Sequence, residues 1–247
     1  MMAQENQKAA LVTGGAKRIG RAVSLMLAGR GYDVAVTYRT SEKEALLLVD
    51  EIRERGNNAG AFNLDLFYPE TIPGTLEEIH AEFPGLELIV NNASIFERRE
   101  FRESSLDDLD RNLSVHLRSP YVLVNEFAKF AENGQVINIL DSRITAVKTA
   151  YFAYLLSKKA LADFTEMAAV ALGPEIRVNA VAPGFILPPE GEGDNYIAKF
   201  AEKIPAGRKG DINDVLNAVR FLLDNPYVTG QVLFVDGGRN LAEQASV

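Results

Sequence analysis

Short apolar runs alternate with segments of helical spacing along the whole chain. Ala9–Thr13 (AALVT) is apolar almost throughout and stops at Gly14-Gly15. Ile19, Val23, Met26 and Leu27 then recur at helical intervals, which predicts a helix over Ile19–Arg30 ended by Gly31. Six further strands are predicted over Asp33–Tyr38, Ala59–Asn63, Leu86–Val90, Gln135–Leu140, Ile176–Val181 and Gln231–Val235. Helices are predicted over Ser41–Arg55, Pro69–Phe83, Leu106–Arg118, Pro120–Asn133, Tyr151–Leu172, Tyr196–Lys203 and Ile212–Leu223. Strands that read as continuous apolar runs, each followed by a helix, imply a parallel sheet covered on both faces. No Pro/Ser-rich linker or change of composition divides the chain. The prediction is one doubly wound α/β domain over residues 1–247, with a seven-stranded parallel sheet behind a polar tail at 1–8.

Composition narrows the chemistry. Lys and Arg number 26 against 34 Asp and Glu, a net charge of −8, so no cationic face is expected for nucleic acid or anionic lipid. The absence of cysteine excludes disulfides, thiolate metal sites and a Cys nucleophile. Only His80 and His116 are present, and no His-rich metal centre is expected; His80, in a charged helix, reads as a surface residue. No run approaches the roughly 18 apolar residues of a membrane span. The N-terminus is polar rather than signal-like, so a cytoplasmic protein is expected.

The loop Thr13-Gly14-Gly15-Ala16-Lys17-Arg18-Ile19-Gly20 lies between the first strand and the first helix. Glycines there let the backbone approach a pyrophosphate at a helix N-terminus, where free N–H groups favour anions. The second strand ends Tyr38-Arg39-Thr40-Ser41, with Arg39 where NAD-binding folds usually place an acidic residue on the ribose. A cation beside two hydroxyls suits a 2′-phosphate, which favours NADP over NAD. Asp65-Leu66, after the third strand, is placed to meet an adenine ring. Tyr154 and Lys158 stand at i and i+4 of a helix and project from one face. A nearby ammonium favours a phenolate, which brings a phenol with a pKa near ~10 closer to proton transfer at neutral pH.

Together with Asn91-Asn92-Ala93, Pro183-Gly184 and Asp236-Gly237-Gly238, these segments resemble the short-chain dehydrogenase/reductase family over essentially the full chain. The resemblance implies a Rossmann domain in which Tyr154 is the general acid and Lys158 holds the nicotinamide ribose. It implies NADPH contacts from Gly14, Lys17, Arg18, Ile19 and Gly20 in the loop, and from Tyr38, Arg39, Thr40 and Ser41. Asp65, Leu66, Asn91, Ala93, Tyr154, Lys158, Pro183 and Gly184 complete that set. It also implies a mobile substrate lid over 185–205 and a homotetramer packed through the helices of the Lys129 and Tyr154 regions.

Three departures narrow the resemblance. Arg18 stands where the common loop has glycine, Asp141 replaces the usual catalytic Ser, and the segment after Pro183-Gly184 lacks the usual Thr. All three resemble the pteridine reductases and the dihydromonapterin/dihydrofolate reductases, as does Phe96 two residues past Ser94 in Asn-Asn-Ala-Ser-Ile-Phe. The implied substrate is a pterin-like small molecule. Phe96 would stack on one ring face, and Asp141 would accept from ring N–H or amino donors in a triad with Tyr154 and Lys158. An ionised Asp141 opposes phenolate formation, so Tyr154 is expected to stay protonated. Arg18 and Ser94 would bond the ring edge or bridge to the pyrophosphate, and Tyr151 is placed toward the substrate. Ser142 is expected to point away from the triad, and His116 either relays protons or is structural. A carbonyl or 3-oxoacyl thioester reductase and a non-catalytic NADP sensor remain the alternatives.

Overall fold

A computed structural model describes residues 7–188 and 204–245. Seven strands form one parallel sheet: β1 (Ala9–Val12), β2 (Asp33–Tyr38), β3 (Ala59–Asn63), β4 (Leu86–Asn91), β5 (Gly134–Ile139), β6 (Ile176–Pro183) and β7 (Val232–Val235). Their order is β3-β2-β1-β4-β5-β6-β7, with helices on both faces. Leu11, Val12, Val34, Val36 and Ile89 are wholly buried, as successive residues of a strand must be when both faces are covered. In register, Ala9–Val12 of β1 pairs with Asp33–Val36 of β2, which brings Thr13 beside Thr37.

The chain packs as two compact units. The first comprises Met1–Ser94, Ser114–Val136 and Leu172–Ile176. Its helices are α1 (Arg18–Ala28), α2 (Glu42–Glu54), α3 (Ile72–Glu82) and α5 (Ser119–Phe127). The second comprises Ile95–Leu113, Ile137–Ala171 and Arg177–Val247. It holds α4 (Leu106–Leu113), the long α6 (Phe152–Leu172), α7 (Ile212–Asp224) and α8 (Arg239–Ala245).

Four local expectations are corrected. The helix predicted over Leu106–Arg118 ends at Leu113, and a π-helical turn follows at Ser114–Arg118. Over five residues the apolar spacing of a π turn and an α-helix is nearly the same, so the pattern did not separate them. The helix predicted to reach Asn133 stops at Phe127, where the Lys129 and Phe130 amides tighten into bonds to the carbonyls three residues earlier. His80 is not a plain surface residue: its ring stacks on Phe130 at 4.0 Å, and its buried Nδ1 has no partner among the described residues. The helix α8 was not predicted at all. The helix expected over Tyr196–Lys203, residues 189–203 of the expected lid and most of the 1–8 tail lie outside the described residues. At the edges of that lid Ile186 and Ile204 are both buried. Among the described residues no helix is long and apolar enough to cross a membrane.

Candidate active site

In the first unit, the loop after β1 is fastened to the end of β4. The buried Thr13 hydroxyl accepts from the backbone amides of Asn92 at 3.0 Å and Ala93 at 3.1 Å. The Asn92 side-chain Nδ2 donates in turn to the carbonyls of Thr13 at 3.0 Å and Gly14 at 3.1 Å. This weave presses backbone on backbone. A Cβ on Gly14, whose φ is +59, would lie 3.0 Å from Ala93 Cα, and one on Gly20 would lie 2.4 Å from the Gly14 carbonyl oxygen. Arg18 adopts φ +54, the left-handed region, at the position where the common family loop has glycine. A non-glycine residue held there costs about 1–3 kcal/mol. The first turn of α1 has neither an acidic residue nor a side-chain cap, so its positive end is left for an anion.

The end of β2 is less preorganised. Arg39 and Thr40 are exposed, and the Arg39 guanidinium lies over the Phe67 ring at 4.9 Å. Asp65 accepts from the Phe67 amide at 3.0 Å, so it shapes the turn that presents this ring. The Tyr38 hydroxyl donates to Glu42 at 3.2 Å, and Lys17, expected to contact NADPH, pairs with Glu44 at 2.8 Å. Ser94 and the buried His116 are joined at 2.9 Å, a contact made by the π turn that sets the His116 ring toward β4. Asn91 at the end of β4 is buried, as is Leu66.

The second unit brings the expected acid–base residues together. Asp141 follows β5 and caps a 3₁₀ turn over Ser142–Thr145. Its Oδ1 accepts from the Arg143 backbone amide at 2.8 Å and from Arg143 Nε at 3.0 Å. Its Oδ2 accepts from Arg143 Nη2 at 2.8 Å and from the Tyr154 hydroxyl at 3.0 Å. An ionised carboxylate has about four acceptor positions, and these four bonds fill them. Asp141 was expected to accept from substrate donors; in this structure its acceptor positions are taken by Tyr154 and by Arg143, which carried no expectation. Ser142 is buried outside this pairing, its hydroxyl without a partner among the described residues.

The buried Lys158 donates to the Ile139 carbonyl at 2.7 Å. Aromatic rings wall the site. Phe96 is 44% exposed, stacks on Tyr151 at 4.5 Å and 14°, and meets the edge of Tyr154 at 4.9 Å. Tyr151 itself sits at φ +60, and its carbonyl accepts from the Leu155 amide at 2.9 Å as α6 begins. Gly184, after β6, donates to the Val235 carbonyl at 2.9 Å, and Pro183 is buried.

The charges fit a proton donor held in reserve. Burial would raise the Asp141 carboxyl, but the hydrogen bonds and charge of Arg143 outweigh it and hold the group below the usual carboxylate range. Burial and then the Asp141 charge push the Tyr154 phenol well above its ordinary value, against the opposing charge of Arg143. Tyr154 is therefore protonated at neutral pH. Burial lowers Lys158 to about 8, with Asp141 opposing. The unfolded chain then binds more protons than the folded one between about pH 8 and 10, so this group adds stability as pH rises through that window. Its full span corresponds to roughly 3 kcal/mol. Lys158→Met should flatten the rise, measured as the urea midpoint from pH 7 to 10; an unchanged slope would contradict a buried, depressed Lys158.

A sequence profile described as enoyl-(acyl carrier protein) reductase matches residues 14–240. The chain belongs to the short-chain dehydrogenase/reductase family. Within this family it is 33% identical over 246 aligned residues to the 3-oxoacyl-[acyl-carrier-protein] reductase FabG of Staphylococcus aureus, covering 94% of this chain and 97% of that protein. It is 34% identical to FolM alternative dihydrofolate reductase 1 of Brucella suis, solved in complex with NADP, with a TM-score of 0.90 over 95% of each chain. A blue fluorescent protein from a metagenomic library, solved with NADPH, is 32% identical with a TM-score of 0.87, covering 96% of this chain and 99% of that one.

Proposed function

We propose that this short-chain dehydrogenase/reductase is an NADPH-dependent reductase of the C=N bond of a pterin-type ring. The observation that carries the reading is Asp141, hydrogen-bonded to Tyr154 where the common family pattern has a serine, beside the half-exposed ring of Phe96. The similarity to proteins called alternative dihydrofolate reductase supports it.

The residues present fit NADP. The Gly14–Gly20 cradle and the uncapped start of α1 suit a pyrophosphate, and exposed Arg39 with Thr40 and Ser41 suits a 2′-phosphate. When bound, the nicotinamide supplies the hydride. The protein's part is to hold the ring and move one proton. Phe96 offers a flat face for the heterocycle, and Tyr154, protonated and aimed by Asp141, donates its proton to the ring nitrogen as the adjoining carbon gains hydride. The bond thus passes from C=N to CH–NH. Asp141 disfavours the phenolate left behind while Arg143 favours it, so the ion pair offers a nearly neutral neighbour in place of a serine hydroxyl.

A 3-oxoacyl thioester reductase is the second reading, favoured by the similarity to FabG and opposed by the absent serine. The two separate when NADPH oxidation is followed in parallel with a 7,8-dihydropterin, a quinonoid dihydropterin and an acetoacetyl thioester. Turnover of the pterins is expected, and turnover of the thioester alone would refute the proposal. Binding of NADPH without turnover of any of them would point to a sensor. Arg39→Glu should weaken NADPH by about 10²-fold in Kd while changing NADH little, through loss of a charge-assisted bond and new repulsion. Equal effects on both would remove the 2′-phosphate role. Self-association belongs to the same reading: Met167 and Val170 on α6 are 72% and 85% exposed.

A further inference from the structure

We propose that Arg143 is the substrate-contacting donor of this site, selecting rings that present a carbonyl or imine acceptor edge. The inference rests on the pterin reading for the identity of the ring. A guanidinium has five N–H donors. Nε and one N–H of Nη2 are spent on Asp141 and the guanidinium also hydrogen-bonds the Tyr154 hydroxyl, which leaves two of the five for an arriving acceptor. This side chain is largely enclosed, 16% exposed, beside the stacked rings of Phe96 at 5.1 Å and Tyr151 at 5.0 Å. Charged donors in a mostly enclosed site interact more strongly with an arriving acceptor than the same donors in bulk water do.

With its four acceptor positions occupied, Asp141 is not the group proposed to read the substrate. It serves instead to hold the guanidinium plane against the aromatic wall, within 5.8 Å of the Tyr154 ring. From there the guanidinium stands next to Tyr154, the residue proposed to deliver the proton. A 4-oxo pterin places its C4 carbonyl next to the imine nitrogen N5, two acceptors on one edge. A donor fixed at that edge grips the ring and stabilises negative charge as it develops on N5, the part that the serine hydroxyl plays elsewhere in this family.

The test compares 2-amino-4-oxo with 2,4-diamino dihydropterin rings, in which the C4 acceptor becomes a donor. Binding to the NADP complex is read by fluorescence quenching, and turnover by NADPH oxidation. Wild type should prefer the 4-oxo ring by roughly 10–100-fold, the range of a charge-assisted bond. Arg143→Met should bring that ratio near one and lower kcat, with NADPH binding kept. A merely structural Arg143 would weaken both rings alike and leave the ratio intact, which would overturn the proposal. Faster turnover in Arg143→Met would also overturn it, since Arg143 would then be a plug on Asp141. Arg143→Lys, which keeps the charge and loses the fork, gives an intermediate ratio and carries the comparison should Arg143→Met fail to fold. If wild type ignores both pterins but reduces the thioester, the pterin reading fails. Arg143 then stands if Arg143→Met loses thioester turnover 10-fold or more at constant NADPH affinity, and falls if it does not.

Discussion

Tyr154→Phe is expected to lower kcat for pterin reduction by about 10³-fold while leaving the Kd for NADPH within a few-fold. The change removes one oxygen. That oxygen is the proposed proton donor, buried and hydrogen-bonded to Asp141 at 3.0 Å, and positioned acids contribute about 10²–10⁴-fold to rate. The ring stays, so its edge contact with Phe96 at 4.9 Å and the packing of α6 are retained. Stopped-flow hydride transfer and NADPH titration separate the two effects. A loss confined to NADPH binding, with single-turnover rate unchanged, would mean that Tyr154 positions the cofactor and does not donate the proton.

Asp141→Ser restores the common family residue and should nonetheless abolish most pterin turnover. The serine hydroxyl satisfies neither the Arg143 fork nor the orientation of Tyr154. Removing one partner of a buried ion pair costs about 3 kcal/mol here, the low end of the usual range, because both side chains keep 16% exposure. The sign of its pH dependence follows from the lowered carboxyl. In wild type this group's contribution is present above the unfolded value near ~4 and is lost as pH falls through the folded one, so the variant should lose less stability on acidification. NADPH binding should survive, since the Gly14–Gly20 cradle and Arg39 are built from the other unit's residues. Unchanged pterin kinetics would refute the role given to Asp141.

The strands were legible because strands covered on both faces must read as apolar runs, and the loop at Gly14–Gly20 because close backbone contact leaves room for no side chain. Tyr154 and Lys158 were legible because i and i+4 share a helix face. The Asp141–Arg143 pair was not. Residues two apart on a strand do share a face, but β5 ends at Ile139, and it is the 3₁₀ turn capped by Asp141 that folds Arg143 back onto both carboxylate oxygens. No apolar period marks such a turn. The Ser94–His116 contact was hidden for a related reason, since the π turn that aims His116 has nearly the spacing of the helix it interrupts. Tyr151 and Arg18, the two non-glycine residues with positive φ among the described residues, also carry no sequence mark of their strain.

Under the proposed function, hydride is delivered to a carbon of a pterin C=N bond while Tyr154 protonates the nitrogen. Mass spectrometry of the product formed from a 7,8-dihydropterin and NADPH deuterated at the transferable position tests it directly. One deuterium on the reduced ring carbon, lost in Tyr154→Phe at matched time points, is the expected result. An unlabelled ring, with deuterium passing instead to the 3-hydroxyl carbon of an acetoacetyl thioester, would contradict it.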